Sequence, residues 1–145
     1  MWVVFLKWEK CPKFIKIDTD GFDCLILRGS LSILKIAKPI VFFEYDPFFL
    51  SKQNDDGISI FAALSSIGYK KALIYDNFGD YILSIELTNS YQVEDLHNYI
   101  SGCGGSRYYD ICVFHSEDDD LFEKIRTSEI QFFKNTVEMF AEVRR

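Results

Sequence analysis

One stretch constrains the fold of this chain more than any other: Phe14-Ile15-Lys16-Ile17-Asp18-Thr19-Asp20-Gly21. Its first four residues carry apolar or long aliphatic side chains, which is typical of a short buried strand. The next four predict a tight turn, because Gly21 tolerates positive φ and Asp20 can hydrogen-bond the turn backbone. Carboxylates at the carboxyl end of a strand occupy the position where open α/β sheets bind ligands. The alternative is that Asp18 and Asp20 only cap the following helix.

The composition limits the classes of partner. With 145 residues, of which 48% are hydrophobic, the chain is expected to form one domain with a packed core. Its net charge of -6 argues against nucleic acid or an anionic membrane as a partner. Every apolar run is interrupted by charge before the length that a bilayer requires, so no membrane span is predicted.

The cysteines and histidines lack the spacing of a metal site, so no metal is predicted. Because the cysteines show no C-x-x-C spacing, the simplest interpretation is a protein with reduced thiols in the cytoplasm. Structural roles are expected for both histidines. These residues are Cys11, Cys24, Cys103, Cys112, His97 and His115.

The chain after the turn alternates between helical and extended patterns. Two short helices are predicted at 22–28 and 30–37, separated at Gly29, and a strand buried on both faces at 40–43. That strand ends in Glu44-Tyr45-Asp46-Pro47, which repeats the order of buried strand, acids and turn. Downstream, the patterns predict helices at 60–67 and 93–100, a hairpin of strands 71–75 and 81–87, and a last strand at 108–115.

The C-terminal segment 116–145 is predicted to be an amphipathic helix, divided in two where Ser128 and Gln131 form a capping-box pattern. Residues 14–115 then form the main unit, and the apolar residues 1–13 are an edge strand or the remnant of something larger. Alternating strands and helices predict an α/β fold, Rossmann-like, with a mostly parallel sheet and an antiparallel edge hairpin.

Several of these motifs together resemble FkbM-type methyltransferases. They are the stretch Phe14 to Gly21 with Phe22-Asp23, then Leu27-Arg28-Gly29-Ser30, Lys38-Pro39-Ile40-Val41-Phe42-Phe43-Glu44 and Ile67-Gly68-Tyr69-Lys70. The resemblance implies a partial class I methyltransferase fold, related to a seven-stranded sheet whose last strand is antiparallel. It also implies an enzyme that uses S-adenosylmethionine to methylate a hydroxyl group of a sugar or natural product.

The chain departs from this family before Phe14. Such enzymes place a glycine-rich cofactor turn and a second acid ahead of the corresponding stretch, whereas the thirteen residues here contain no glycine. The segment Gly102-Cys103-Gly104-Gly105 follows a helix, which is the wrong polarity for binding a charged ligand at a helix N-terminus, so a flexible loop is expected there. The chain therefore resembles the C-terminal half of such an enzyme, either as a fragment or with a start that is read too late.

If the strands at 14–17 and 40–43 lie side by side, their carboxyl ends form one acidic crevice. The resemblance then implies a cofactor-binding role for Asp18 and catalytic roles for Asp20 and Glu44 toward a small-molecule hydroxyl acceptor. Asp46 is a further candidate for the crevice. Asp23 is expected to face the helix macrodipole instead. Phe48 and Phe49 are expected in the core or at a substrate lip.

Two other functions fit parts of the pattern. An apolar strand followed by Asp18-Thr19-Asp20-Gly21 also resembles the nucleophile loop of haloacid-dehalogenase-like phosphatases, with Asp118-Asp119-Asp120 imitating the distal metal-binding acids. Alternatively, the chain is a non-catalytic half-domain whose exposed sheet edge is covered by a homo-oligomer through the apolar segment 1–8.

Overall fold

A computed structural model describes residues 11–143 as a five-stranded sheet with helices on both faces. The predicted interface at residues 1–8 lies outside these described residues. Among the residues that are described, no helix is both long and apolar enough to cross a membrane. The elements are β1 (Phe14–Ile17), α1 (Asp23–Ala37), β2 (Ile40–Tyr45), α2 (Pro47–Lys52), α3 (Ser59–Ser66), β3 (Tyr69–Asp76), β4 (Tyr81–Glu86), α4 (Ser90–Gly102), β5 (Tyr109–His115) and, after a 3-10 turn at Ser116–Asp118, α5 (Asp119–Val143).

The strand order is β1-β2-β5-β3-β4. Only β1 and β2 pair in parallel, whereas β5 pairs antiparallel with both β2 and β3, and β3 pairs antiparallel with β4. The prediction of a mostly parallel sheet is therefore wrong for the described residues, and the antiparallel hairpin at one edge is confirmed. The physical reason is the insertion of β5 between two strands that share a direction: β1, β2 and β3 all run the same way, and β5 separates the third from the other two.

Two predicted breaks in helices are wrong. Helix α1 continues through Gly29, because Leu27 and Leu34 are fully buried and carry one apolar face across the glycine. No atom lies close to the position that a Cβ on Gly29 would occupy, so nothing at this site forces a turn. Helix α5 is likewise continuous past Ser128.

The larger part of the core lies on one face of the sheet, under α1, α3 and α4. A smaller cluster on the other face joins Leu73, Cys112 and Phe114 to Phe122 of α5. Helix α5 does not cover the whole of this second face, so β2 alternates between buried and half-buried residues along its length. The prediction that β2 is buried on both faces is wrong for this reason. The partly open second face is the side on which Glu44 lies.

Candidate functional site

The turn between β1 and α1 is held in place by close contact with α2. Asp20 and Gly21 both have positive φ, at 49° and 98°. A Cβ on Gly21 would lie 2.8 Å from the Cβ of Phe49, so only glycine fits where the turn contacts α2. The turn therefore fixes the backbone of Asp20, an exposed residue, at the carboxyl edge of the sheet.

Asp18 lies on the surface at the end of β1. Its Oδ2 accepts a hydrogen bond from Lys16 Nζ at 2.9 Å, and both side chains are more than half exposed. Asp18, the acid predicted to bind the cofactor, therefore lies beside the ammonium group of Lys16, a residue of β1. Such an exposed pair is weak and leaves the carboxylate accessible.

Glu44 lies next to this turn, because β1 and β2 pair in parallel and end at the same edge. Burial raises the pKa of Glu44 to about 7, and the negative charges of Asp23, Asp18, Asp110 and Asp20 act in the same direction. We call these five acids the Glu44 cluster. The structure thus brings Asp18, Asp20 and Glu44, the three predicted site residues, within electrostatic reach of one another.

Asp23 belongs to this cluster, although its position in the first turn of α1 predicted only a helix-end role. The residue is 1% exposed, and its Oδ2 accepts a hydrogen bond from Thr19 Oγ1 at 2.9 Å. Its buried Oδ1 accepts no hydrogen bond from any described residue. A buried carboxylate with an unused acceptor is costly for stability and raises the negative potential beside Glu44.

Sequence reasoning did not identify Asp110, which lies directly opposite Glu44 in the β2–β5 register. Burial raises the pKa of Asp110, while the positive charge of Lys16 opposes that increase. The neighbouring Tyr108 also has a raised pKa, through burial and then the charges of Asp110 and Glu44. The sequence Tyr108-Tyr109-Asp110 does not indicate that Asp110 lies beside Glu44. That position follows only from the antiparallel insertion of β5 next to β2.

Asp46 is buried at the start of α2, and its Oδ2 accepts no hydrogen bond from any described residue. It is 3% exposed and caps α2, where its Oδ1 accepts a hydrogen bond from the backbone N–H of Phe48 at 2.9 Å. Phe48 is partly exposed, and its ring would lie 2.6 Å from a Cβ on Gly105. The loop before β5 therefore packs on Phe48, at the same edge of the sheet as the Glu44 cluster.

His97 forms a partly buried contact away from the Glu44 cluster. Its Nδ1 lies 2.7 Å from Tyr45 Oη, and its Nε2 lies 3.4 Å from Ser101 Oγ. Burial lowers the pKa of His97 below its usual value. These contacts fit the structural role that was expected for this histidine.

A second group of acids lies around Arg28. Unlike the acids of the Glu44 cluster, these acids are paired with a cation. Arg28 forms a two-pronged ion pair with Asp55, in which Nη2 donates to Oδ1 at 2.9 Å, and it also contacts Asp56 and Ser59. We call these four residues the Arg28 cluster. The guanidinium lowers the pKa of Asp55, and the backbone N–H of Gly57 also donates to this carboxylate.

The acidic run Asp118-Asp119-Asp120 lies at the other end of the sheet. It follows β5, whose last residue His115 pairs with the first residue of β3, Tyr69. The run therefore cannot supply distal metal-binding acids to Asp18 and Asp20, as the phosphatase alternative requires. Among residues 11–143, no three His, Cys, Asp or Glu side chains form a group that could hold a metal ion.

Comparisons of this chain with protein-family models, curated proteins and solved structures gave no match.

Proposed function

We propose that this chain forms the acceptor-binding side of an S-adenosylmethionine-dependent O-methyltransferase, with Glu44 as the general base. The observation that carries the proposal is the position of Glu44, half-buried opposite Asp110 at the carboxyl edge of two parallel strands, where burial raises its pKa to about 7. A general base is most effective when its pKa lies near the working pH. Glu44 is then about half deprotonated near neutrality and can accept the proton of an acceptor hydroxyl.

The direction of the strands supports a Rossmann-like, partial class I methyltransferase fold. Strands β1, β2 and β3 share one direction, and the last strand of the chain, β5, runs against them. The resemblance implies a sheet whose last strand is antiparallel, and this arrangement agrees with it. Helices α1 and α3 connect the strands that share a direction, as crossovers in such folds do.

The exposed acids fit a positively charged cofactor. S-adenosylmethionine supplies, when bound, a methyl group on a cationic sulfur, and the negative potential around Asp18 and Asp20 favours such a cation. A cavity of about 540 Å³ opens beside Asp18 between β1 and α1. Of the contacts to the cofactor, we assign to the described residues only those of the acids at this edge.

The residues of the chain have separate tasks in this proposal. Asp18 faces the cofactor side, and Asp20 orients the acceptor hydroxyl through a hydrogen bond. Glu44 takes the proton. Asp23 and Asp110 keep the pKa of Glu44 high through their charges. The acceptor is a small molecule with a hydroxyl group.

The test combines methyl transfer with cofactor binding. Purified chain is assayed with radiolabelled S-adenosylmethionine against hydroxylated sugars and phenols, and the rate is expected to rise with pH through about 7. Glu44→Gln should lower the rate about 100-fold. Asp18→Asn should weaken binding of S-adenosylhomocysteine in calorimetry. The matched control is Asp120→Asn at the other end of the sheet, which should change neither.

Absence of both cofactor binding and methyl transfer in the parent chain would contradict the proposal. So would a Glu44→Gln variant with full activity and an unchanged pH profile.

A further inference from the structure

Helix α1 is apolar on two opposite faces. One face carries Cys24, Leu27 and Leu34, which are buried in the core. The other face is exposed, and its residues recur at spacings of three and four. A surface helix normally places polar side chains opposite its core face, so the second apolar face points to a partner. We call this face the α1 stripe, and its residues are Phe22, Leu25, Ile26, Gly29, Ile33 and Ile36.

The α1 stripe is large enough for a specific contact. Its five large side chains are between 39% and 78% exposed, and Ile36 is the most exposed of them. At roughly 100 Å² for each side chain, two such stripes bury about 1,000 Å² together, which is the lower limit for a specific protein interface. The stripe contains no charged side chain, so its burial leaves no ion without a partner.

The spacing of the α1 stripe is nearly symmetric about Gly29. Phe22 lies seven residues before Gly29, and Ile36 lies seven residues after it. Ile26 lies three residues before Gly29, and Ile33 lies four residues after it. A contact between two identical copies about a twofold axis requires a patch that is complementary to itself. Two such stripes, packed antiparallel, place Ile26 of one copy beside Ile33 of the other.

Gly29 lies where the two helices of such a pair would cross. No atom lies within 4 Å of the position that a Cβ on Gly29 would occupy, and the residue is exposed. Glycine is less favourable than alanine inside a helix, and no contact among the described residues requires it here. At a crossing point, the missing side chain lets two helix backbones approach closely.

We propose that this chain forms a twofold-symmetric dimer, in which the α1 stripes of two copies pack antiparallel with the two Gly29 residues at the crossing. The occupant of the stripe is a second copy because the spacing is symmetric about one residue, which an unrelated partner does not require. The dimer does not depend on the proposed methyl transfer, since α1 covers one face of the sheet and Glu44 lies on the other.

Sedimentation velocity of the purified chain between about 1 and about 300 µM tests the dimer. The size of the interface predicts a Kd on the order of 10 µM. Ile36→Glu should weaken dimerisation at least about tenfold, because a carboxylate would be buried in an apolar contact. Ile36 is largely exposed in a single copy, so the circular dichroism of this variant should match that of the parent. The control is Val137→Glu, on an exposed position of α5, which should dimerise as the parent does.

A pair of complementary variants tests the antiparallel arrangement. Ile26→Glu and Ile33→Lys should each be monomeric at concentrations where the parent is a dimer. An equimolar mixture of the two should dimerise again, because the antiparallel pair places the new carboxylate beside the new ammonium group and keeps one original contact. A parallel pair would place each position beside its own copy, and mixing would then restore nothing.

Each of three results would overturn the proposal. The first is a parent chain that stays monomeric up to about 300 µM, which would assign the stripe to another segment or another protein. The second is loss of the dimer in Val137→Glu but not in Ile36→Glu, which would assign the contact to α5. The third is a mixture of the complementary variants that remains monomeric although both variants are folded.

Discussion

The Arg28 cluster and the Glu44 cluster contain the same kind of side chain and have opposite electrostatics. In the Arg28 cluster, one guanidinium and a backbone N–H satisfy Asp55, and its pKa decreases. In the Glu44 cluster, burial and neighbouring carboxylates raise the pKa to about 7. Acids that are paired with a cation and a hydrogen-bond donor hold elements together. Buried acids without such partners cost stability and keep a carboxyl group reactive near neutral pH. The difference separates a structural site from a candidate functional one.

The largest effect is expected from Arg28→Ala, which removes the compensation in the first cluster. The side chain of Asp55 is 8% exposed and would remain buried without its cation. The free energy of unfolding should decrease by about 3 kcal/mol. Urea unfolding measures this, with Lys35→Ala, an exposed residue of the same helix, expected to change it by less than about 0.5 kcal/mol. Equal effects of the two variants would mean that the Arg28 cluster is not a stabilising one.

Gly21→Ala tests the turn that carries two acids of the Glu44 cluster. The added Cβ would meet Phe49 at 2.8 Å and require positive φ from alanine, so the free energy of unfolding should decrease by about 2 kcal/mol. Gly29→Ala is the matched control in the same segment. It lies inside α1 with no atom near the added Cβ, and should increase stability by about 0.5–1 kcal/mol. Thermal unfolding of both variants gives the comparison, and a stable Gly21→Ala variant would contradict it.

Glu44→Gln removes the titrating group of the second cluster. Folding raises the pKa of Glu44 from 4.5 to about 7, so the folded state retains a proton that the unfolded state releases between these pH values. The free energy of unfolding of the parent therefore decreases as the pH rises through this window. Because Glu44 is half-buried, we expect Glu44→Gln to be more stable than the parent by about 1 kcal/mol at pH 8 and equal to it at pH 4.5. Urea unfolding at the two pH values measures this, and a difference that does not depend on pH would refute the uncompensated character of the cluster.

Lys16→Gln should have the smallest effect on stability and a specific effect on titration. Lys16 is exposed, so unfolding should be unchanged within error. Its charge lowers the pKa of Asp110, and the variant should therefore raise that pKa further. Carboxyl NMR titration of Asp110 measures the change, with Lys35→Gln, on the exposed side of α1, as the control. An unchanged titration would place Lys16 outside the electrostatics of the cluster.

Local patterns predicted the elements well and their pairing poorly. The strand and turn at 14–21 follow from side-chain pattern and turn chemistry, and the structure confirms them, whereas the predicted break in the following helix is wrong. The antiparallel position of β5 does not follow from its own residues, because strand direction depends on which neighbour accepts it. This explains why the sequence predicted Glu44 as a candidate site residue and did not predict Asp110, which lies opposite it.

Burial was also hidden from sequence reasoning. Asp23 has the pattern of an ordinary first-turn acid, and nothing in that pattern indicates that the residue is 1% exposed. Gly29 predicted a break in the helix because glycine favours turns locally. The helix continues because the apolar face of α1 extends across this glycine.

The position of β5 determines the order in which the sheet can be completed during synthesis. In the sheet, β5 joins the β1–β2 pair to the β3–β4 hairpin, yet the ribosome makes it after all four. Until residue 115 has left the exit tunnel, β2 and β3 each present an open edge that only β5 fills. Closure of this sheet therefore follows the synthesis of the four other described strands, and a nascent chain stalled before Tyr109 would expose two aggregation-prone edges.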